Sequence, residues 1–145
     1  MSTQTDSNFN LDERLKQDSI FITKLELSEV RLINNTSYNW LILVPQINEI
    51  FELTDLEESQ YDILCKEIRL ISKLMQQIFQ PDKLNIAAIG NIVRQLHIHI
   101  VARFKDDELF PKPMWGCTFK PYSSEEINLK VNKIISSINS HARLC

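Results

Sequence analysis

The chain has 145 residues, 43% of them hydrophobic and 24% charged, which is one domain's worth of globular sequence, able to bury about two thirds of its unfolded surface around one core. Sixteen Lys and Arg against nineteen Asp and Glu give a formal net charge of −3, which argues against the nucleic acid backbone or an anionic membrane as the main partner. Only two glycines occur, Gly90 and Gly116, so neither a G-x-G-x-x-G turn nor a G-x-x-x-x-G-K-S/T loop can be written, and Rossmann and P-loop nucleotide sites are excluded.

Residues 1–10 lack apolar periodicity and read as a loose tail ahead of a single domain over 11–145, with Leu11 to Gln17 as a short helical lead-in. Three β-rich runs follow: Ile20-Phe21-Ile22, Glu29 to Ile33, and Trp40 to Val44 ended by Pro45. Asn34-Asn35-Thr36-Ser37 between the second and third is turn chemistry, which predicts an antiparallel hairpin.

Thr54-Asp55-Leu56-Glu57 matches a capping box and predicts a helix start. Leu64, Ile68, Ile71, Met75 and Ile78 then form one apolar stripe running to Phe79, and Pro81 breaks the helix. Two further strands are predicted over Lys83 to Ile89 and Leu96 to Phe104, with Gly90-Asn91 as the bend between them. Ser123-Ser124-Glu125-Glu126 is a second capping box, with Tyr122 and Ile127 placed as a hydrophobic staple, and opens a C-terminal helix over 123–140. The order β-β-β-α-β-β-α is that of an α+β fold: a five-stranded antiparallel sheet, read as a meander, with one long helix packed on it and a helix at the C-terminus.

Cys65, Cys117 and Cys145 form no C-x-x-C pair and are odd in number, which fits a reducing compartment. The polar start MSTQTDSNFN lacks the apolar core of a signal peptide, and no run of about 18 apolar residues appears later. The expectation is a cytoplasmic protein.

Two of the three histidines lie in Gln95-Leu96-His97-Ile98-His99-Ile100-Val101, where every second residue is apolar. On a strand, side chains two apart share a face about 6.5 to 7 Å from one another, so Gln95, His97 and His99 project together while Leu96, Ile98 and Ile100 enter the core. Three readings stand open: a half-exposed strand whose histidines face water, an H-x-H metal site completed by His141, Cys117 or an acidic residue, and nucleophilic catalysis at phosphorus. In the last, a neutral imidazole attacks while flanking donors stabilise charge on the equatorial oxygens.

This stretch resembles the signature of the histidine triad family, H-φ-H-φ-H-φ-φ with φ apolar, in a subgroup with Gln in the first position similar to diadenosine polyphosphate hydrolases. Gly90-Asn91 before the signature, Ala102-Arg103-Phe104 continuing it, Trp115-Gly116 after it, and the hairpin Asn34-Asn35 leading into Tyr38 to Pro45 extend the likeness over roughly residues 15 to 120. The resemblance implies a nucleotide hydrolase or transferase acting at the α-phosphate of substrates such as dinucleoside polyphosphates. In it, His97 takes the nucleophile's position and forms a nucleotidyl-histidine intermediate, and His99 supports the phosphate. Asn91 beside Gly90 lies near the phosphates, and Asn34 or Asn35 contacts the ribose; a plain turn is the rival reading at both places. The resemblance also implies a homodimer, no required cofactor, and at most a divalent cation arriving with the substrate's phosphates.

Gln95 departs from the full triad: it can donate a hydrogen bond but carries no charge, so general acid help from that position is in doubt. A nucleotide-binding module with little turnover is the alternative this residue raises. Arg94 alternates out of phase with the histidine face and reads as a surface residue, whereas Arg103 shares that face and would supply a distant positive field. For Trp115, beyond the irregular stretch Phe110-Pro111-Lys112-Pro113, the resemblance implies a place near the active-site mouth or the partner subunit, and a core-capping indole is the rival reading.

Overall fold

The computed structural model describes residues 5–142. Its elements are α1 (Glu13–Asp18), β1 (Ser19–Lys24), β2 (Ser28–Ile33), β3 (Asn39–Pro45), α2 (Glu58–Phe79), β4 (Lys83–Ala87), β5 (Ile98–Arg103) and α3 (Ser124–Ala142). The five strands form one sheet in the order β1-β2-β3-β5-β4, every neighbouring pair antiparallel. This is the expected α+β architecture. The meander holds through β3; after α2 the chain lays down edge strand β4 first, and β5 returns between it and β3, so β5 is central rather than last.

Strand parity divides the core in two. Leu41 and Leu43 of β3 and Ile98, Ile100 and Ala102 of β5 face the helices, where they meet Leu64, Ile71 and Met75 of α2 and Ile134 and Ile138 of α3. Trp40, Ile42 and Val44 of β3 and Val101 of β5 face the other way, covered by Leu15 of α1 and Met114. Among the described residues no long helix covers the second face; irregular chain and α1 form its cover, and that leaves room for a cleft.

The helix starts differ in one instructive place. Thr54 and Asp55 belong to a single 3-10 turn over Leu53–Asp55, in which the Asp55 carboxylate accepts from the amides of Phe51 and Glu52 at 3.1 and 2.8 Å. The long helix begins only at Glu58, where Gln60 Oε1 accepts the Glu57 amide at 2.9 Å. Asp55 bonds backward because a short carboxylate competes for local amides before helix can propagate. At the other end Gln80 closes α2 in the left-handed region, at φ 50°, and Pro81 prevents continuation. The capping box at α3 forms as its spacing predicts: the Glu126 carboxylate accepts from the Ser123 amide at 2.7 Å and the Ser123 hydroxyl from the Glu126 amide at 3.3 Å.

The segment expected as a loose tail is tied down from Asp6 onward. The Asp6 amide donates to Gln46 O at 2.8 Å, the Asn48 amide to the Asp6 carboxylate at 2.7 Å, and the Asn10 amide to Asn48 Oδ1 at 2.9 Å. Polar side chains bonding backbone groups order this strap without any apolar periodicity, which is why the pattern of the sequence hides it. Residues 1–4 of that tail, and Cys145, lie outside the described residues. Among the described residues no helix is long and apolar enough to cross a membrane.

Candidate active site

β5 is shorter than its alternating pattern, running Ile98–Arg103, so His97 sits at its threshold and His99 within it. Both histidines point to the face opposite α2 and α3, and both are buried at 6% exposure. A half-exposed strand with histidines facing water is therefore ruled out. They lie in the floor of a cleft of about 390 Å³, walled by α1 (Arg14, Leu15, Asp18), by the β4–β5 loop (Gly90, Asn91, Val93) and by Trp40, Trp115 and Phe119.

The hydrogen bonds of the two rings assign their protons. His97 Nδ1 lies 2.7 Å from the carbonyl oxygen of Gln95. A carbonyl only accepts, so Nδ1 carries the proton and Nε2 keeps its lone pair. Burial lowers the affinity of this ring for a second proton, against the opposing pull of the Gln95 carbonyl and the Asp12 carboxylate. His97 is thus a neutral imidazole whose Nε2 is free to attack.

His99 has the opposite tautomer. Trp40 Nε1, which can only donate, reaches His99 Nδ1 at 2.9 Å. The single proton of neutral His99 must then sit on Nε2, making that atom a donor. Burial, with His97 beside it, pushes the His99 pKa down to about 3, so this donor stays uncharged across the physiological range. The two rings stand edge to face with centroids 4.8 Å apart. A lone pair and an N–H therefore lie side by side on one strand end.

Register explains how Trp40 reaches its partner. In the β3–β5 ladder Trp40 stands opposite Val101 and Ile42 opposite His99, so Trp40 and His99 are diagonal neighbours on one face. Trp115 meets His99 edge-on at 5.4 Å and Trp40 at 6.5 Å, and Phe119 lies 6.0 Å from Trp40. Trp115 thus combines its two expected roles, lining the cleft while capping the aromatic cluster. The cluster dries the His99 side of the cleft and offers flat apolar surfaces on which a heterocyclic base can stack.

The other anticipated residues distribute unevenly. Gly90 and Asn91 line the cleft. Gly90 has φ +65°, and a Cβ there would lie 3.2 Å from Val93 O, so its turn admits glycine for steric reasons. Gln95 contributes its carbonyl to His97 but turns its side chain away, with Oε1 accepting the Asp12 amide at 2.8 Å and Nε2 donating to Asn10 O at 2.9 Å. Asn34 and Asn35 are engaged as clasps for the segment before α3: Asn34 Oδ1 accepts the Tyr122 amide at 2.9 Å, and fully buried Asn35 donates to Cys117 Sγ at 3.4 Å and accepts from the Ser37 and Lys120 amides at 3.1 and 3.4 Å.

Arg94 lies exposed with its guanidinium 4.7 Å above the Phe51 ring, as a surface residue should. Arg103 does not act as a field source. It is 1% exposed and clamped in a fork by Asp107 at 2.8 and 2.9 Å, with Asn85 Oδ1 and Lys112 O completing its donors, so its charge is locally neutralised. That clamp fixes the loop that leads to Met114 and Trp115. Sequence reasoning missed Trp40, Phe119, Arg14 and Asp18 as cleft residues; the signal for Trp40 was its parity with the histidine face, while Arg14 and Asp18 stand on the short helix α1 and Phe119 on irregular chain.

The donor set does not suit an H-x-H metal centre. His99 Nδ1 is taken by an indole N–H, so ligation through Nε2 would require this ring to lose its only proton. His141 lies near the end of α3, and no group of three or more His, Cys, Asp or Glu able to hold a metal ion occurs among the described residues. Burial raises the pKa of the Cys117 thiol, away from the thiolate that metals bind.

Comparison with known proteins follows the same line. Residues 14–106 match the HIT domain model. Among solved structures, a histidine triad protein from Sinorhizobium meliloti is 39% identical, with 90% of this chain and 98% of that chain covered and a TM-score of 0.88. One from Bradyrhizobium japonicum is 40% identical over 90% and 98% of the two chains with a TM-score of 0.87, and one from Marinobacter aquaeolei 34% identical over 91% and 97% with a TM-score of 0.88. A search of curated proteins finds no match. With a matched domain that contains both cleft histidines and solved relatives of nearly the same length, this chain belongs to the histidine triad (HIT) family.

Proposed function

We propose that the protein is a nucleotide hydrolase or transferase that passes a nucleotidyl group through His97. The observation that carries this reading is the pair of opposite tautomers, an Nε2 lone pair on His97 beside an Nε2–H donor on His99, on the floor of an aromatic-walled cleft. HIT membership supports the same class of chemistry.

In the first step His97 Nε2 attacks the α-phosphorus, forming an N–P bond while the P–O bond to the leaving group breaks and its electrons depart with that oxygen. The phosphorylated ring becomes cationic, and its Nδ1–H faces the Gln95 carbonyl, which stabilises that charge. His99 Nε2–H donates to a phosphate oxygen as charge develops there. In the second step water attacks phosphorus, the N–P bond breaks, a nucleoside monophosphate leaves, and the water's proton passes to solvent. Two displacements replace one difficult step.

The side chain of Gln95 faces the N-terminal strap and offers no acid to the leaving group. The substrates that suit this site carry a leaving group that departs as a stable anion, and dinucleoside polyphosphates are of that kind. Asn91, at the cleft rim beside Gly90, is the amide we assign to the phosphates. A divalent cation enters only with the substrate's own phosphates, and the protein works in the cytoplasm as a homodimer.

The stereochemical course tests the scheme. Hydrolysis of a substrate chiral at the α-phosphorus should proceed with retention, from two inversions. Inversion would mean direct attack by water, and tight binding without turnover would leave a nucleotide-binding module.

A further inference from the structure

Gln95 occupies the first triad position, yet its side chain serves a different part of the molecule. Oε1 accepts the amide of Asp12 at 2.8 Å and Nε2 donates to the carbonyl of Asn10 at 2.9 Å, so both ends of the carboxamide are spent on the N-terminal strap. Asp12 is the N-cap of α1, its carboxylate accepting the Arg14 amide at 2.9 Å. The next residues of that helix, Arg14, Leu15 and Asp18, form one wall of the cleft above His97 and His99. One residue therefore holds the nucleophile by its carbonyl and the opposite wall by its side chain.

The charge balance of the cleft gives this wall a purpose. Both histidines are neutral, and Arg14 is the one permanent cation among the cleft's described lining residues. Among the described residues Arg14 makes no ion pair; those found are Arg31–Glu29 and Arg103–Asp107. Asp18, one helical turn away, balances it, so loss of Arg14 would leave a carboxylate as the cleft's only charge and repel a polyanion.

We propose that Gln95 is a positioning residue that clamps the N-terminal strap so that α1 presents Arg14 to the non-reacting phosphates of a polyphosphate substrate. This rests on the nucleotidyl-transfer reading above and extends it to substrate choice: charged, multi-phosphate leaving groups over neutral ones. The trade is chemically coherent, because a site without an acid in the first triad position favours leaving groups that are already anionic, and Arg14 selects those.

The test uses the full chain in wild-type, Arg14→Gln, Gln95→Ala and doubly substituted forms. Hydrogen exchange reads the strap independently of catalysis: Gln95→Ala should speed exchange over residues 6–18 by about tenfold or more while β3 and β5 keep their protection, and Arg14→Gln should leave the strap protected. With diadenosine tetraphosphate, either substitution should raise KM by about tenfold with a much smaller change in kcat, and the double variant should be little worse than either alone. With an uncharged leaving group, as in an adenylated amine, Arg14→Gln should change KM by less than about threefold.

An unchanged KM for diadenosine tetraphosphate in Arg14→Gln overturns the proposal, as does a Gln95→Ala variant that loses kcat while strap exchange and KM stay put. Arg14 is exposed, so its variant remains informative if Gln95→Ala fails to fold. If the wild type turns over no nucleotide, the proposed function fails separately, and calorimetry with adenosine 5′-tetraphosphate still decides: binding weakened by Arg14→Gln supports the proposal, and equal binding or none to the wild type refutes it.

Discussion

The indole of Trp40 donates to Nδ1 of His99 at 2.9 Å, and because an indole cannot accept, this bond alone decides where the proton of His99 sits. Trp40→Phe keeps most of the ring packing and removes the donor. Activity should fall about 10- to 100-fold, as for other losses of an orienting partner, and nitrogen NMR should show His99 passing from one Nε2-protonated tautomer to a mixture. A wild-type spectrum with a charged His99 at pH 6 would contradict the assignment.

Stability should fall in acid for a reason tied to the same rings. His97 is shifted downward by burial, and His99 down to about 3, from an ordinary value near 6.5. The unfolded chain then binds protons that the folded chain refuses, so each ring contributes stability that is full above pH 6.5 and declines as pH falls toward the folded value. Urea midpoints measured from pH 7 to pH 4 should drop, and His99→Gln should flatten that slope relative to wild type. An identical slope in the variant would mean that His99 titrates normally.

Much of this molecule was legible in the sequence, and the parts that were not share a cause. Strand alternation placed Leu96, Ile98 and Ile100 on the helix side and the histidines opposite, as observed. The stripe from Leu64 to Ile78 placed α2, although it gave no warning that Glu67 is buried in the same face. The cleft walls come from α1, the β4–β5 loop and residues 115–119, and the strap over residues 6–12 that seats α1, like residues 104–122, is held by side chain-to-backbone bonds with no period to read. For that reason Gln95, whose parity pointed at the reaction, turned out to hold the strap, and Asn34 and Asn35 turned out to clasp the approach to α3.

Glu67 offers a further test within that core. Its Oε1 accepts the Leu27 amide at 2.7 Å in the β1–β2 turn, and burial raises its pKa. Glu67→Ala strands that amide in an apolar setting and should cost about 3 kcal/mol, while Glu67→Gln keeps an acceptor and should cost about 1 kcal/mol or less. A carboxyl with a raised folded pKa contributes stability below its unfolded value and loses it as pH rises. The Gln variant should therefore lie nearer to wild type at pH 8 than at pH 5 in denaturant titrations.

Arg103→Lys should show that the buried fork positions the cleft wall. A lysine cannot reproduce the two bonds to Asp107 together with those to Asn85 and Lys112 O. The expected loss is about 3 kcal/mol of stability, accompanied by weaker nucleotide binding, because the loop it secures carries Trp115. Calorimetry on the folded variant checks this, and wild-type affinity would separate the fork from the site.

The central claim is that His97 Nε2 becomes bonded to phosphorus. Rapid acid-free quenching of the enzyme mixed with excess diadenosine tetraphosphate, followed by mass spectrometry of its peptides, reads this directly. A nucleotidyl adduct on the peptide containing His97, formed and lost at rates consistent with turnover and absent from His97→Ala, is the predicted result. Full turnover by His97→Ala, or an adduct on any other residue, would contradict it.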